Sequence, residues 1–213
     1  MENAYSLIKP GTMLVVDFDG TLVDSEPLHA RAYADLLKEE GIEFDPTSFS
    51  DFLGKKAPEI LTLLTQQYNV HWDEEVLKKR EQIFVELFES QDPSPVDAVI
   101  SLIQDANKKQ IPIFILSSQY EHIIQQFIER WDLGALFQDV LTTHTDVENK
   151  ERGLEYILSL FPDANAHNIV IVEDSPAVLT MAHTMEAKTI AIVHELNRST
   201  VPNIPADAYI NIS

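Results

Sequence analysis

The sequence predicts an α/β fold in which a parallel sheet carries helices on both faces and is interrupted by a helical insert. Three observations carry that expectation. Continuous apolar runs with β-branched residues recur at 13–16, 111–116, 169–172 and 189–193, as strands buried on both faces require. Segments with apolar residues at helical spacing alternate with those runs. Residues 25–91 carry helical patterns only, so they form a block between the first strand and the rest.

The first strand, 13–16, stops at Asp17, and Gly20 lets the chain turn sharply. Ser25 is placed to cap the next helix, with Glu26 and Pro27 in its first turn. Leu28, Ala32 and Leu36 recur at i+4, and Gly41 marks the stop. Pro46, Thr47 and Ser48 make 42–54 a loop or short helix. Helices are expected over 58–68, with Ile60, Leu61 and Leu64, and over 73–89, with Val76, Leu77, Phe84 and Phe88. Pro93 and Pro95 break the pattern and mark a return linker. A helix over 96–109 then leads into the strand 111–116, whose Pro112 is tolerable only near the strand start. A helix over 120–131, a weaker strand over 140–143 and a helix over 151–161 follow. After the strand 169–172 come a helix over 177–185, the strand 189–193 and a last edge strand over 208–212.

At 213 residues the chain can build one good core and a smaller second domain. Its formal net charge of −20 argues against nucleic-acid backbones and anionic membranes as partners. With no cysteine there are no disulfides and no thiolate metal sites. No apolar run approaches the roughly 18 residues that span a bilayer, and the first residues lack a basic leader pattern. A cytoplasmic monomer is the expectation.

Asp17 and Asp19 stand at i and i+2, so extended chain would point both carboxylates the same way. Two like charges so placed repel unless a cation or phosphate-transfer chemistry uses them, although the pair taken alone is better explained as an ordinary acidic strand-to-turn junction. Two more buried runs end in polar residues, Leu116 before Ser117 and Val172 before Glu173 and Asp174. Ligands in open parallel sheets bind beyond such strand ends.

The string Asp17-Phe18-Asp19-Gly20-Thr21-Leu22-Val23-Asp24-Ser25-Glu26-Pro27 resembles the first motif of the haloacid dehalogenase-like phosphotransferases. The resemblance implies a Rossmann-like catalytic core over 1–24 and 92–213 and an inserted helical cap domain over 25–91. It implies Asp17 as nucleophile and Asp19 as general acid and base, with Thr21 orienting Asp19. Ser117 matches the second motif, a hydroxyl that binds the transferring phosphoryl group, with Ser118 as the alternative. Lys150 matches the third-motif lysine, with Arg152 as the alternative, because both prolines usual after that lysine are replaced here by other residues. Glu173-Asp174-Ser175-Pro176 matches the fourth motif. The implied cofactor is Mg²⁺, held by the Asp17 carboxylate, the Asp19 backbone carbonyl, Asp174, and Glu173 directly or through water. Two glycines usual after that motif are Val178 and Glu186 here, which marks a divergent member.

In the insert, Glu26 and His29 follow the family's cap-entry pattern, and Gly54, Lys55 and Lys56 fit its specificity loop. Sugar-phosphate mutases of this kind carry an arginine where this chain has Ala57. The function implied is that of a Mg²⁺-dependent phosphatase hydrolysing a small phosphorylated metabolite through an aspartyl-phosphate on Asp17. The alternatives are a sugar-phosphate mutase and a catalytically silent binding protein.

Overall fold

A computed structural model describes residues 2–53, 55, 57–69 and 73–212. In chain order these form α1 (Glu2–Leu7), β1 (Met13–Val16), α2 (Glu26–Glu39), a 3-10 helix (Pro46–Phe52), α3 (Ala57–Tyr68) and α4 (Glu74–Gln91). There follow α5 (Asp97–Lys108), β2 (Ile113–Ser117), α6 (Glu121–Arg130), β3 (Asp139–Thr142) and α7 (Lys150–Ser159). The chain closes with β4 (Ile169–Glu173), α8 (Pro176–Thr184), β5 (Lys188–Val193) and β6 (Ala208–Asn211). Two compact units result, Met1–Asp24 with Ser94–Ser213, and Ser25–Pro93.

The first unit is built on one sheet of order β3-β2-β1-β4-β5-β6. Every neighbouring pair is parallel, so the strands all end on the same edge. This is the α/β, Rossmann-like arrangement, and the strand order reverses between β1 and β4. Ligands of such sheets bind beyond the carboxyl ends of the strands at that reversal. Val16 pairs with Ile115 on one side and Val172 on the other, so Asp17 and Glu173 emerge next to each other. The strands β1, β2 and β4 are buried along their whole length. Each buried Val, Leu or Ile contributes about 1.5–3 kcal/mol, which keeps the central strands rigid. On one face Val15, Phe114, Leu116 and Ile171 pack with Leu154 and Ile157 of α7 and Ala182 of α8.

The structure departs from the sequence pattern at three places. β2 begins at Ile113 rather than 111, because Pro112 has no N–H to give; its carbonyl instead accepts from Leu14 N at 2.9 Å. Helix α1 was not expected, and it packs against α5 and β6 with Ala4 and Ile8 buried. Ser25 occupies the N-cap position of α2, but its side chain makes no cap hydrogen bond because its backbone is already in the helical region.

The second unit is helical among its described residues. α2 lies along α4, and the 3-10 helix packs beside α2. Tyr33 stacks on Phe49 at 5.5 Å between ring centres. The Arg80 guanidinium covers the ring of Tyr33 at 4.7 Å.

Candidate active site

The sheet's C-terminal edge concentrates the polar residues. Asp17 follows β1, and its N–H donates to Val172 O at 3.0 Å, which locks it against β4. Phe18 turns into the core and meets Phe127 edge-on at 5.2 Å, so Asp17 and Asp19 leave the chain on the opposite side. Leu22 N donates to Asp17 O at 3.2 Å and Val96 N to Leu22 O at 2.9 Å, pinning the turn after the strand.

Lys150 is the first residue of α7, which Asn149 caps by accepting from Arg152 N at 2.9 Å. Gly153 lets this helix lie close on β2, since a Cβ there would stand 2.4 Å from Leu116 Cδ1. The lysine side chain is thereby delivered to the carboxyl ends of β1 and β4, only 10% exposed, with Nζ 2.7 Å from Asp17 Oδ2 and 2.8 Å from Glu173 Oε2. Arg152 points elsewhere and pairs with Glu155 on the surface. Glu173 is fully buried, and its Oε1 also accepts from Ser175 N at 3.1 Å.

Burial pushes the Asp17 carboxyl above the usual range; Lys150 opposes this, and Asp174 and Asp19 add to it. Burial also drives Glu173 well above the usual carboxylate value, with the Asp17 charge reinforcing it against Lys150. For Lys150 burial works against the charged form, but Asp17 and Glu173 outweigh it and hold the ammonium firmly protonated. One cation thus serves a site with an excess of acids.

Asp17, Glu173 and Asp174 each offer a carboxylate oxygen, all within 4.8 Å of one another. Asp17 Oδ1 is buried and has no hydrogen-bond partner among the described residues. Three buried carboxylates that outnumber the one ammonium, an oxygen-only donor set, fit a hard divalent cation such as Mg²⁺.

Asp19 is half-buried, and its Oδ2 accepts from Gln119 Nε2 at 3.0 Å. Thr21 does not orient it, because the Thr21 hydroxyl is buried and makes no hydrogen bond. Ser117 ends β2 buried, accepting from Gln119 N at 3.1 Å, while Ser118 is exposed. Gly20, at φ +67°, is needed twice over: its backbone is left-handed, and a Cβ would stand 2.4 Å from Asp174 Oδ2. Asp174 is buried, with His194 Nε2 3.0 Å from its Oδ2 and Asn197 Nδ2 donating to its carbonyl at 3.1 Å.

Gln119, His194 and Asn197 were missed from the sequence. His194 directly follows β5, so the rule applied to the ends of β1, β2 and β4 would have flagged it. Gln119 and Asn197 lie in loops and carried no comparable signal.

In the helical unit Glu26 opens α2, and His29 stacks on Phe84 at 4.0 Å with Arg80 against its Nδ1. Lys55 pairs with Glu59 at 3.1 Å. Gly54 and Lys56 lie outside the described residues.

The family described as haloacid dehalogenase-like hydrolase matches residues 14–192. The chain belongs to the haloacid dehalogenase-like hydrolases. This hydrolase is 27% identical over 168 residues to the 6-phosphogluconate phosphatase of Escherichia coli, covering 76% of this chain and 73% of that protein. It is 25% identical over 192 residues to the phosphorylated carbohydrates phosphatase of Thermotoga maritima, covering 86% of each. In fold it resembles a haloacid dehalogenase-like protein from Agrobacterium tumefaciens, with a TM-score of 0.74 at 19% identity over 93% of each chain. No helix among the described residues is long and apolar enough to cross a membrane.

Proposed function

We propose that this hydrolase is a Mg²⁺-dependent phosphatase that takes the phosphoryl group of a small phosphorylated carbohydrate onto Asp17 and then passes it to water. The observation that carries this reading is the Asp17 carboxylate itself, with one oxygen on Lys150 and the other buried without a partner. A structural carboxylate in that position would be fully paired; a nucleophile must keep an oxygen for the reacting atom. The names of the Escherichia coli and Thermotoga maritima relatives support the substrate class.

In the first step the Asp17 carboxylate attacks phosphorus, the bond to the leaving oxygen breaks, and Asp19 gives that oxygen its proton. In the second, a water oxygen attacks the phosphorus, Asp19 takes the water proton, and the phosphorus–oxygen bond to Asp17 breaks. Inorganic phosphate leaves, and both carboxyls return to their starting states. Gln119 aims Asp19 at the leaving oxygen, and Ser117, whose oxygen already accepts from Gln119 N, donates its hydroxyl to the phosphoryl group. Lys150 restrains Asp17 and offsets the charge that gathers around phosphorus. When bound by Asp17, Glu173, Asp174 and the Asp19 carbonyl, Mg²⁺ supplies the remaining positive charge. Such help is needed, since enzymes accelerate phosphate monoester hydrolysis by up to ~10²¹-fold.

We assign the helical unit the part of a cap that reads the leaving group, with Glu26, His29 and Lys55 as its candidate substrate-binding residues. The test is a panel of phosphorylated sugars with Mg²⁺, measuring free phosphate and isomerised product in parallel. Phosphate release supports the proposal. Isomerised product forming faster than phosphate would replace it with a mutase, and inactivity across the panel and on a generic aryl phosphate would leave a silent protein.

A further inference from the structure

Asp174 is gripped from two sides by residues that the phosphoryl transfer does not use. His194 Nε2 lies 3.0 Å from Asp174 Oδ2, and Asn197 Nδ2 lies 3.1 Å from the Asp174 carbonyl oxygen. The two gripping residues are joined to each other, since His194 N donates to Asn197 Oδ1 at 2.9 Å. Asn197 is also tied to β5, donating to Ile192 O at 3.0 Å. His194 is 3% exposed and Asn197 fully buried. An ionised carboxylate can only accept, so the bond requires a proton on His194 Nε2.

Burying an imidazole and an amide is costly unless each is hydrogen-bonded, and apolar side chains could close a strand end without that cost. The pair's common target is a member of the acid cluster. His194 itself is outside that cluster, which among the described residues consists of Asp17, Glu173 and Asp174. It therefore acts through Asp174 rather than as a ligand. Gly20 lies beside the same carboxylate, where only the absence of a Cβ leaves it room.

We propose that His194 and Asn197 are positioning residues for the divalent cation: they hold the Asp174 backbone and side chain so that one carboxylate oxygen is committed to His194 and the other is left for the metal. The proposal rests on the reading of Asp174 as a metal ligand. Residues that orient a ligand in this way typically set metal affinity, and losing one costs about 10–100-fold. A purely structural pair would change the stability of the metal-free protein and leave metal affinity alone.

The experiment is calorimetric titration of Mg²⁺ into the substrate-free protein, for the parent, His194→Phe, His194→Gln and Asn197→Ala, with metal-free melts alongside. The expected result is Mg²⁺ binding weakened about 10–100-fold in His194→Phe. Partial recovery is expected in His194→Gln, whose amide can still donate, and weaker binding again in Asn197→Ala. If His194→Phe does not fold, Asn197→Ala decides, with weakened binding in support and parental affinity in refutation. Parental Mg²⁺ affinity in every variant, with lowered metal-free melting, would overturn the proposal and leave the phosphatase reading standing. A parent that binds no Mg²⁺ would overturn both.

Discussion

Lys150 Nζ stands 2.7 Å from Asp17 Oδ2, an ammonium and a carboxylate paired almost out of reach of solvent. Glu173 shares the same ammonium from β4 at 2.8 Å. Removing the lysine would strip Asp17 and Glu173, both buried beside Asp174, of the ammonium they share. Lys150→Met is expected to cost about 3–5 kcal/mol of stability, the usual result of breaking a buried pair. It should also lower kcat/KM by about 10²–10³-fold, as for loss of one group aimed at developing charge. Urea unfolding and steady-state assays measure the two effects, and parental stability in the variant would show that the pair is not buried as described.

Mg²⁺ should stabilise the folded protein, because it relieves repulsion among Asp17, Glu173 and Asp174. A ligand of the native state alone adds about 2.7 kcal/mol at a hundredfold excess over Kd. Melting curves with and without Mg²⁺ should separate for the parent and draw together for Asp174→Ala. An identical rise in the variant would put the cation somewhere else.

How far the sequence reveals these features depends on the range of the interactions. Strands β1, β2, β4 and β5 are legible because burial on both faces forces unbroken apolar runs such as Met13–Val16. β6, on the sheet edge, is legible by its alternation, with Ala208 and Ile210 buried and Tyr209 and Asn211 exposed. α1 is not, since a helix of six residues is held by docking against α5 and β6 rather than by its own pattern. The acids and Lys150 stand out through motif likeness, but only folding distinguishes Lys150 from Arg152, by setting Gly153 against Leu116. Gln119 meets Asp19 across 100 positions and Asn197 meets Asp174 across 23, and no local pattern records such partnerships.

At the sheet edge Asp207 accepts from Thr189 N at 3.0 Å and from Lys188 Nζ at 3.1 Å, fastening the start of β6 to β5. Partial burial opposes the charge, but these bonds outweigh it and hold the carboxyl below the usual range. A carboxyl depressed by folding adds stability above its unfolded value of about 4 and loses it as pH falls through the folded value. Asp207→Asn should therefore lower stability at pH 7 by about 1 kcal/mol or less, because solvent screens a part-exposed pair. The gap to the parent should close below about pH 4. A gap that persists undiminished in acid would assign the effect to packing rather than charge.

In the proposed mechanism Asp17 carries the phosphoryl group. Acid quenching of the protein during turnover of a radiolabelled sugar phosphate with Mg²⁺, followed by peptide mapping, tests it most directly. A hydroxylamine-labile label is expected on the peptide containing Asp17, with no label and no turnover in a folded Asp17→Asn variant. Turnover by Asp17→Asn within about tenfold of the parent, with no label retained on the parent, would contradict that role.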